Sequence, residues 1–372
     1  MARSWSRWVP AAAVPVVVVS AALISQAGAA TDLPDKSADE LLTMVGEHSV
    51  EAFSGSFEQT ADLGLPQLPD GVTAGAGGDE AAQVGDLLAL LSGSRSGRLY
   101  VGGPDQARLQ VMSDFAEQDV IRNGTDVWLY DSKENAATHV TVPEHDGAKP
   151  DAPAGAMPTP EEVADHLLAA VDPSTEVTVG DDATVAGRPA YELVLTPRTD
   201  ATLVDSVAIS VDAETGMPLG VTVRARGQSD PAFEVAYTSL DLGAPDPSRF
   251  EFTPPSGATV TEKDLAHDGA AWAPSDGSGS TDAAPDHGTS PPAGPDATGP
   301  EPTVLGSGWD AVVVIPAGAP SPTDEPLLDQ LTTAVEGGRL LSTALVNVLV
   351  TDDGRVLAGS VPLERLQAAA TE

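Results

Sequence analysis

The chain has 372 residues, no cysteine, and 18 basic residues against 56 acidic, a net charge of −38. Such a field repels phosphate backbones, which bind proteins chiefly through Lys and Arg, so a nucleic-acid ligand is excluded. Docking on anionic lipid headgroups is disfavoured on the same ground. Without cysteine there is no disulfide framework.

The N-terminus reads as an export signal. Arg3 and Arg7 precede an apolar run from Ala11 to Ile24, and no acidic residue occurs before Asp32. Ala27-Gly28-Ala29 then supplies the small-x-small pattern of a cleavage site. Pro15 inside the run makes a poor spanning helix, which wants about 20 apolar residues. We expect a signal peptide over 1–29, cleaved near Ala29, and a location outside the cytoplasmic membrane. The alternative is an uncleaved tether. Cleavage would leave 16 basic residues and a net charge of −40.

From Ser37 the chain predicts a helix, with Ser37 and Glu40 in capping-box spacing and Leu41, Leu42 and Val45 on one side. The period then changes to two. Phe53, Gly55 and Phe57 alternate with Ser54, Ser56 and Glu58, and Leu99 with Val101, then Ala107, Leu109 and Val111, repeat the pattern. Between these strands lies Leu63 to Gly97, ending in a predicted helix that carries Leu87, Leu88, Leu90 and Leu91. A second helix is predicted from Pro160 to Val171, capped by Thr159. Alternation resumes at Tyr191, Leu193 and Leu195, then at Val207, Ile209 and Val211, at Leu219, Val221 and Val223, and at Phe233, Val235 and Tyr237.

Turn sequences such as Gly102-Gly103-Pro104-Asp105, Asn123-Gly124 and Glu214-Thr215-Gly216 join these runs. The expected fold is mainly β, an antiparallel sheet of about eleven strands, large enough to curl. Residues 266–303 hold no Lys or Arg and one large apolar residue, Trp272, so they read as a disordered linker. The expected domains are therefore 31–265 and a small α+β domain over 304–372, where Asp353-Gly354 marks a hairpin.

No catalytic constellation is present. There is no P-loop and no G-x-S-x-G turn, and the histidines at 48, 139, 145, 166, 267 and 287 form no metal-binding pair. Glu144-His145-Asp146 reads as a solvated loop. We expect no enzyme, no metal and no cofactor.

Four segments, in order, resemble the LolA family of lipoprotein carriers over about 36–262. They are Phe53-Ser-Gly-Ser-Phe57-Glu-Gln59, Val120 to Tyr130 with its Trp128-Leu129-Tyr130 end, Leu193-Val-Leu-Thr-Pro197, and Phe250-Glu-Phe-Thr-Pro-Pro-Ser-Gly-Ala-Thr-Val260. The resemblance implies an eleven-stranded half-open barrel whose apolar inner face, lidded by helices, holds acyl chains. It implies an acylated lipoprotein or a lipid as partner. RseB-type envelope-stress sensors share that domain and add a second one, which makes an anti-sigma factor or another membrane-embedded protein the alternative partner. Two features depart from the family. Gly103 stands where carriers have an arginine before the turn proline, and the Leu63–Gly97 insertion is long. The alternation places Phe53, Phe57, Leu99, Val101, Leu109 and Val111 on one face as the candidate lipid-binding wall. Leu87, Leu88, Leu90 and Leu91 are the candidate lid.

Overall fold

A computed structural model describes residues 33–64, 93–113, 116–142, 157–264, 302–317 and 331–371. The export segment, the Glu144-His145-Asp146 loop, the lid leucines 87, 88, 90 and 91, and all but the last two linker residues lie outside the described residues.

The chain opens with α1 (Ala38–Gly46), which starts at Ser37 through a complete capping box with Glu40. Then come β1 (Ala52–Ala61), β2 (Gly93–Gly103), β3 (Gln106–Ser113), β4 (Ala116–Asn123), β5 (Asp126–Asp131) and β6 (Ala136–Thr141). A second helix, α2 (Pro160–Ala169), begins at a Thr159–Glu162 capping box with Pro160 in its first turn. It leads to β7 (Thr175–Val179), β8 (Ala183–Val185), β9 (Arg188–Pro197), β10 (Val204–Asp212), β11 (Pro218–Ala225), β12 (Phe233–Asp241) and β13 (Thr259–Asp264).

These strands form one sheet in the order β13-β6-β5-β4-β3-β2-β1-β12-β11-β10-β9-β7, with β8 also paired to β9. The sheet does not close on itself, and the protein is mainly β with the architecture of a half-barrel. Its thirteen strands exceed the expected eleven. β8 is only three residues long, and β13 (TVTEKD) has Val260 as its one large apolar residue, so neither carries a period-two signature. The sheet is also mixed rather than purely antiparallel, because β13 runs parallel to β6.

The main core lies on the face turned toward the helices, here the inner face. α1 packs on β7 and β9, and α2 on β11 and β12. Under them Tyr191, Leu193, Leu195, Val207, Ile209, Val211, Leu219, Val221 and Val235 are buried. The β10–β11 turn is pinned by Asp212, which is 1% exposed and accepts from Arg188 Nε at 2.7 Å and Nη2 at 2.9 Å.

A second sheet comprises β14 (Thr303–Leu305), β15 (Val312–Ile315), β16 (Thr333–Val335), β17 (Gly338–Ser342), β18 (Asn347–Thr351) and β19 (Val356–Gly359), in the order β14-β15-β19-β18-β17-β16. One face packs on α3 (Leu363–Thr371) through Val312, Val314, Leu349, Leu357 and Leu366. The Asp353-Gly354 pair does turn between β18 and β19. This unit meets the large sheet at three places. Trp309 Nε1 donates to Thr175 Oγ1 at 2.8 Å. The Ser360 carbonyl accepts from Leu203 N and Thr202 Oγ1, both at 2.8 Å. Ala344 N donates to the Leu63 carbonyl at 2.9 Å.

On the outer face the segment after β12 returns as a strap. Phe250 is buried at 2% exposure, and Phe252 packs against Trp128 and Tyr130, with ring centroids 5.3 and 5.6 Å away. β13 then pairs with β6, where His139 is stacked on Trp128 at 4.3 Å. The two imidazole nitrogens face carboxylates on either side, Glu262 at 2.7 Å and Asp126 at 2.8 Å. Both contacts are hydrogen bonds only when both nitrogens carry protons. Burial pulls the imidazole pKa down, but the two carboxylates outweigh it and the pKa is raised. A raised folded-state pKa stabilises fully below the unfolded value of about 6.5 and loses that stabilisation as pH rises through the folded value. Protection factors of amides 259–264, with the intrinsic rise of exchange with pH divided out, should therefore be highest at acid pH and fall above neutrality, and His139→Gln should flatten that profile. An unchanged profile in the variant would assign the effect to other groups.

Candidate functional site

β1 lies mid-sheet, and its alternation sets the inner face. In register, Phe53 pairs with Val101, Gly55 with Leu99, and Phe57 with Gly97. Leu99 then pairs with Leu109, Val101 with Ala107, and Gly97 with Val111. The six predicted wall residues thus share one surface. Phe53, Phe57, Leu99 and Val111 are buried, whereas Val101 and Leu109 are half-buried at the margin of the same core.

The centre of this surface is an aromatic knot. Tyr237 on β12 meets Phe53 and Phe57 edge-on, with centroids 6.2 and 6.0 Å apart. Two glycines seat the rings. A Cβ at Gly97 would lie 2.6 Å from the Phe57 ring, and one at Gly55 would lie 2.7 Å from the Tyr237 ring. The Tyr237 hydroxyl donates to both oxygens of Glu161 in the first turn of α2, at 2.8 and 2.9 Å. Burial, reinforced by Glu161, holds the Tyr237 pKa well above its ordinary value, so the phenol stays protonated as a donor. Glu161 is itself only 7% exposed. Sequence reasoning missed this pair. A glutamate in a first helical turn reads as a solvated N-terminal charge, and nothing local marks its turn inward.

Beyond the knot the inner face continues onto strands outside the main helix contacts. Leu109 pairs with Val120, Val120 with Leu129, and Leu129 with Thr138. Beside that row run Val127 and Val140, also paired. Val120, Val127, Leu129 and Val140 are half-buried, and none belongs to a packed cluster among the described residues. They form an apolar patch across three adjacent strands. A separate depression of about 260 Å³, lined by Ser56, Phe57, Glu58, Arg98, Met112 and Thr238 among others, lies below the usual ~300–1,000 Å³ of ligand pockets.

The arginine absent before Pro104 has no substitute in the turn itself. Arg108 instead binds Asp119 on the outer face at 2.6 Å. Arg122, on β4, reaches the same end of the sheet and bonds Asp105 of that turn at 3.3 Å.

No protein-family model matches the chain, and no curated protein matches it. Solved structures are similar at low identity. Its structural neighbours are MucB and LolA-superfamily proteins. The MucA/MucB complex of Pseudomonas aeruginosa matches at 17% identity over 90% of this chain and 96% of that one, with a TM-score of 0.42. A LolA-superfamily protein from Nitrosomonas europaea matches at 10% identity over 59% of this chain and 99% of its own, with a TM-score of 0.25. A putative outer-membrane lipoprotein-sorting protein domain from Vibrio parahaemolyticus matches at 12% identity over 57% and 97%, with a TM-score of 0.23.

Two substitutions test the knot. Gly97→Ala should cost about 1–3 kcal/mol by overpacking against Phe57. Tyr237→Phe should cost a similar ~1–3 kcal/mol, because it withdraws a donor from a buried carboxylate. Denaturant unfolding of each variant measures both. A neutral Tyr237→Phe would mean that water replaces the hydroxyl.

Proposed function

We propose that this protein is an extracytoplasmic binding protein that shields acyl chains of a lipoprotein or lipid on the inner face of its half-barrel. The observation that carries the reading is the apolar patch of Val120, Val127, Leu129 and Val140, continuous with Val101 and Leu109 and outside the packed core. Contiguous apolar side chains that are neither fully buried nor packed into a core cluster are candidates for contact with an apolar ligand. Its chemistry suits a chain of methylenes, each worth about 0.8 kcal/mol when buried. The four sequence segments that resemble LolA carriers support the same reading, and so does the export signal expected over 1–29. The wall proposed from sequence then divides in two. Phe53, Phe57, Leu99 and Val111 form its packed floor, and Val101 and Leu109 form its accessible border.

A second reading, an envelope-state sensor that engages a membrane protein, is favoured by one observation. The six-stranded unit is docked on the large sheet through specific polar contacts at Thr175, Thr202 and Leu203. Shielding alone needs no such unit. If the two sheets are coupled, weakening their contact must change ligand affinity, by linkage. Trp309→Phe, which removes the indole donor, should shift acyl affinity in a sensor and leave it unaltered in a simple carrier.

The core of the proposal is tested with a fluorescent long-chain fatty acid titrated into the full chain. Saturable binding at micromolar protein is expected. Val120→Glu should abolish it while secondary structure is retained, since a charge in an acyl-lined wall costs several kcal/mol. Absence of binding by the unaltered chain would end the acyl-shielding reading.

A further inference from the structure

The inner face of β3–β6 and β13 carries few charges among the described residues, and their placement is uneven. Strand register defines three transverse rows. The first runs Gly97, Val111, Gln118, Asp131, Ala136, Thr259. The second runs Leu99, Leu109, Val120, Leu129, Thr138, Thr261, and the third Val101, Ala107, Arg122, Val127, Val140, Lys263. The middle row is uncharged. Asp131 is the acid of the first row, and it is occupied by Gln118 at 3.0 Å and by the backbone N–H groups of Lys133 and Glu134 at 2.8 and 3.1 Å. The third row holds two cations, in a chain where acids outnumber bases 56 to 18.

Arg122 is the better placed of the two. Its side chain is 8% exposed, yet its contacts are modest. Nε donates to the Gly124 carbonyl at 3.1 Å, and Nη2 to a single oxygen of Asp105 at 3.3 Å. Among the described residues these bonds use two of the five guanidinium N–H donors. Asp105 is 60% exposed, and such half-solvated, one-point pairs are weak. A carboxylate or phosphate that engaged the guanidinium fork in two-point fashion would form a stronger contact. Lys263 is exposed on the edge strand three strands away, about 14 Å at ordinary strand spacing. It supplies a second point charge to the same row.

We propose that Arg122, assisted by Lys263, recognises an anionic head at the rim of the apolar patch, so that the ligand is an acyl chain ending in a carboxylate or phosphate. The inference rests on the acyl-binding reading and adds the head-group class to it. The apolar rows take the chain, and the cationic row fixes which end lies at the turns after β2 and β4. In a protein this acidic, a strand row that holds two cations and no acid also sets the site apart from the rest of the surface.

Three probes of equal chain length decide it with the full chain: a fluorescent fatty acid, its monophosphate ester counterpart, and the neutral alcohol. At low salt at least one anion should bind on the order of tenfold tighter than the alcohol, the scale of one charge-assisted hydrogen bond. The gap should shrink as salt rises. Arg122→Gln should bring the anions down to the alcohol, Arg122→Lys should restore part of the difference, and Lys263→Gln should narrow it. Which anion gains more identifies carboxylate or phosphate as the head. Equal affinity for all three probes would overturn the head-group assignment and leave acyl binding standing. Binding of none would overturn acyl binding itself. A gap that persists in Arg122→Gln would also overturn the assignment. If Arg122→Gln fails to fold, the exposed Lys263→Gln and the salt dependence carry the test, and indifference to both refutes it.

Discussion

An open sheet has two faces to cover, and among the described residues two helices of nine and ten residues serve a sheet of thirteen strands. α1 and α2 place their main contacts on β7, β9, β11 and β12. That imbalance organises the molecule. Beneath the helices the inner face is packed as a core, with Leu193, Ile209 and Val235 fully buried. On β4–β6 the same face keeps its apolar character in Val120, Val127, Leu129 and Val140, which are only half-buried. Burial of apolar surface is the main favourable term in folding, so an apolar face left half-covered calls for a functional account.

The aromatic knot stands at the boundary between the two halves. Phe57 and Tyr237 are large rings on neighbouring strands, and they fit only because Gly97 and Gly55 leave room opposite them. The knot also fixes α2. A carboxylate taken out of water is costly unless it finds donors, and Glu161 finds one in the Tyr237 hydroxyl. The helix register is thereby specified more sharply than apolar contact could specify it. A slip of α2 by one residue would leave Glu161 buried without that hydroxyl. The floor of the proposed site is consequently rigid, and adaptability to a ligand must reside in the patch on β4–β6.

Much of this was legible in the chain. The Ser37–Glu40 capping box and the Thr159 cap stand where the sequence places them, because N-cap chemistry is local, and Glu162 completes a second box at Thr159. The shared face of Phe53, Phe57, Leu99, Val101, Leu109 and Val111 followed from period-two alternation, which is also local. The illegible features are those set by register between strands distant in sequence. Arg122 and Lys263 share a row although 140 positions separate them. The Tyr237–Glu161 bond spans 76 residues. The parallel pairing of β13 was hidden for another reason, since its polar sequence owes its place to the strap before it rather than to its own side chains.

That strap bears on the site although it lies on the opposite face. Strands β4 and β5 present Ile121, Trp128 and Tyr130 outward, alternate with the inward Val120, Val127 and Leu129. Left bare on both sides, such strands would expose apolar surface twice and invite association. Phe250 and Phe252 cover the outer side, and β13 covers the edge of β6. The hydrophobic residues of the strap, conspicuous in the sequence as Phe250-Glu-Phe252, therefore do more than close the domain. By sealing the outer face they leave the inner face of β4–β6, half-buried among the described residues, as the one side of these strands on which the proposed acyl ligand could lie.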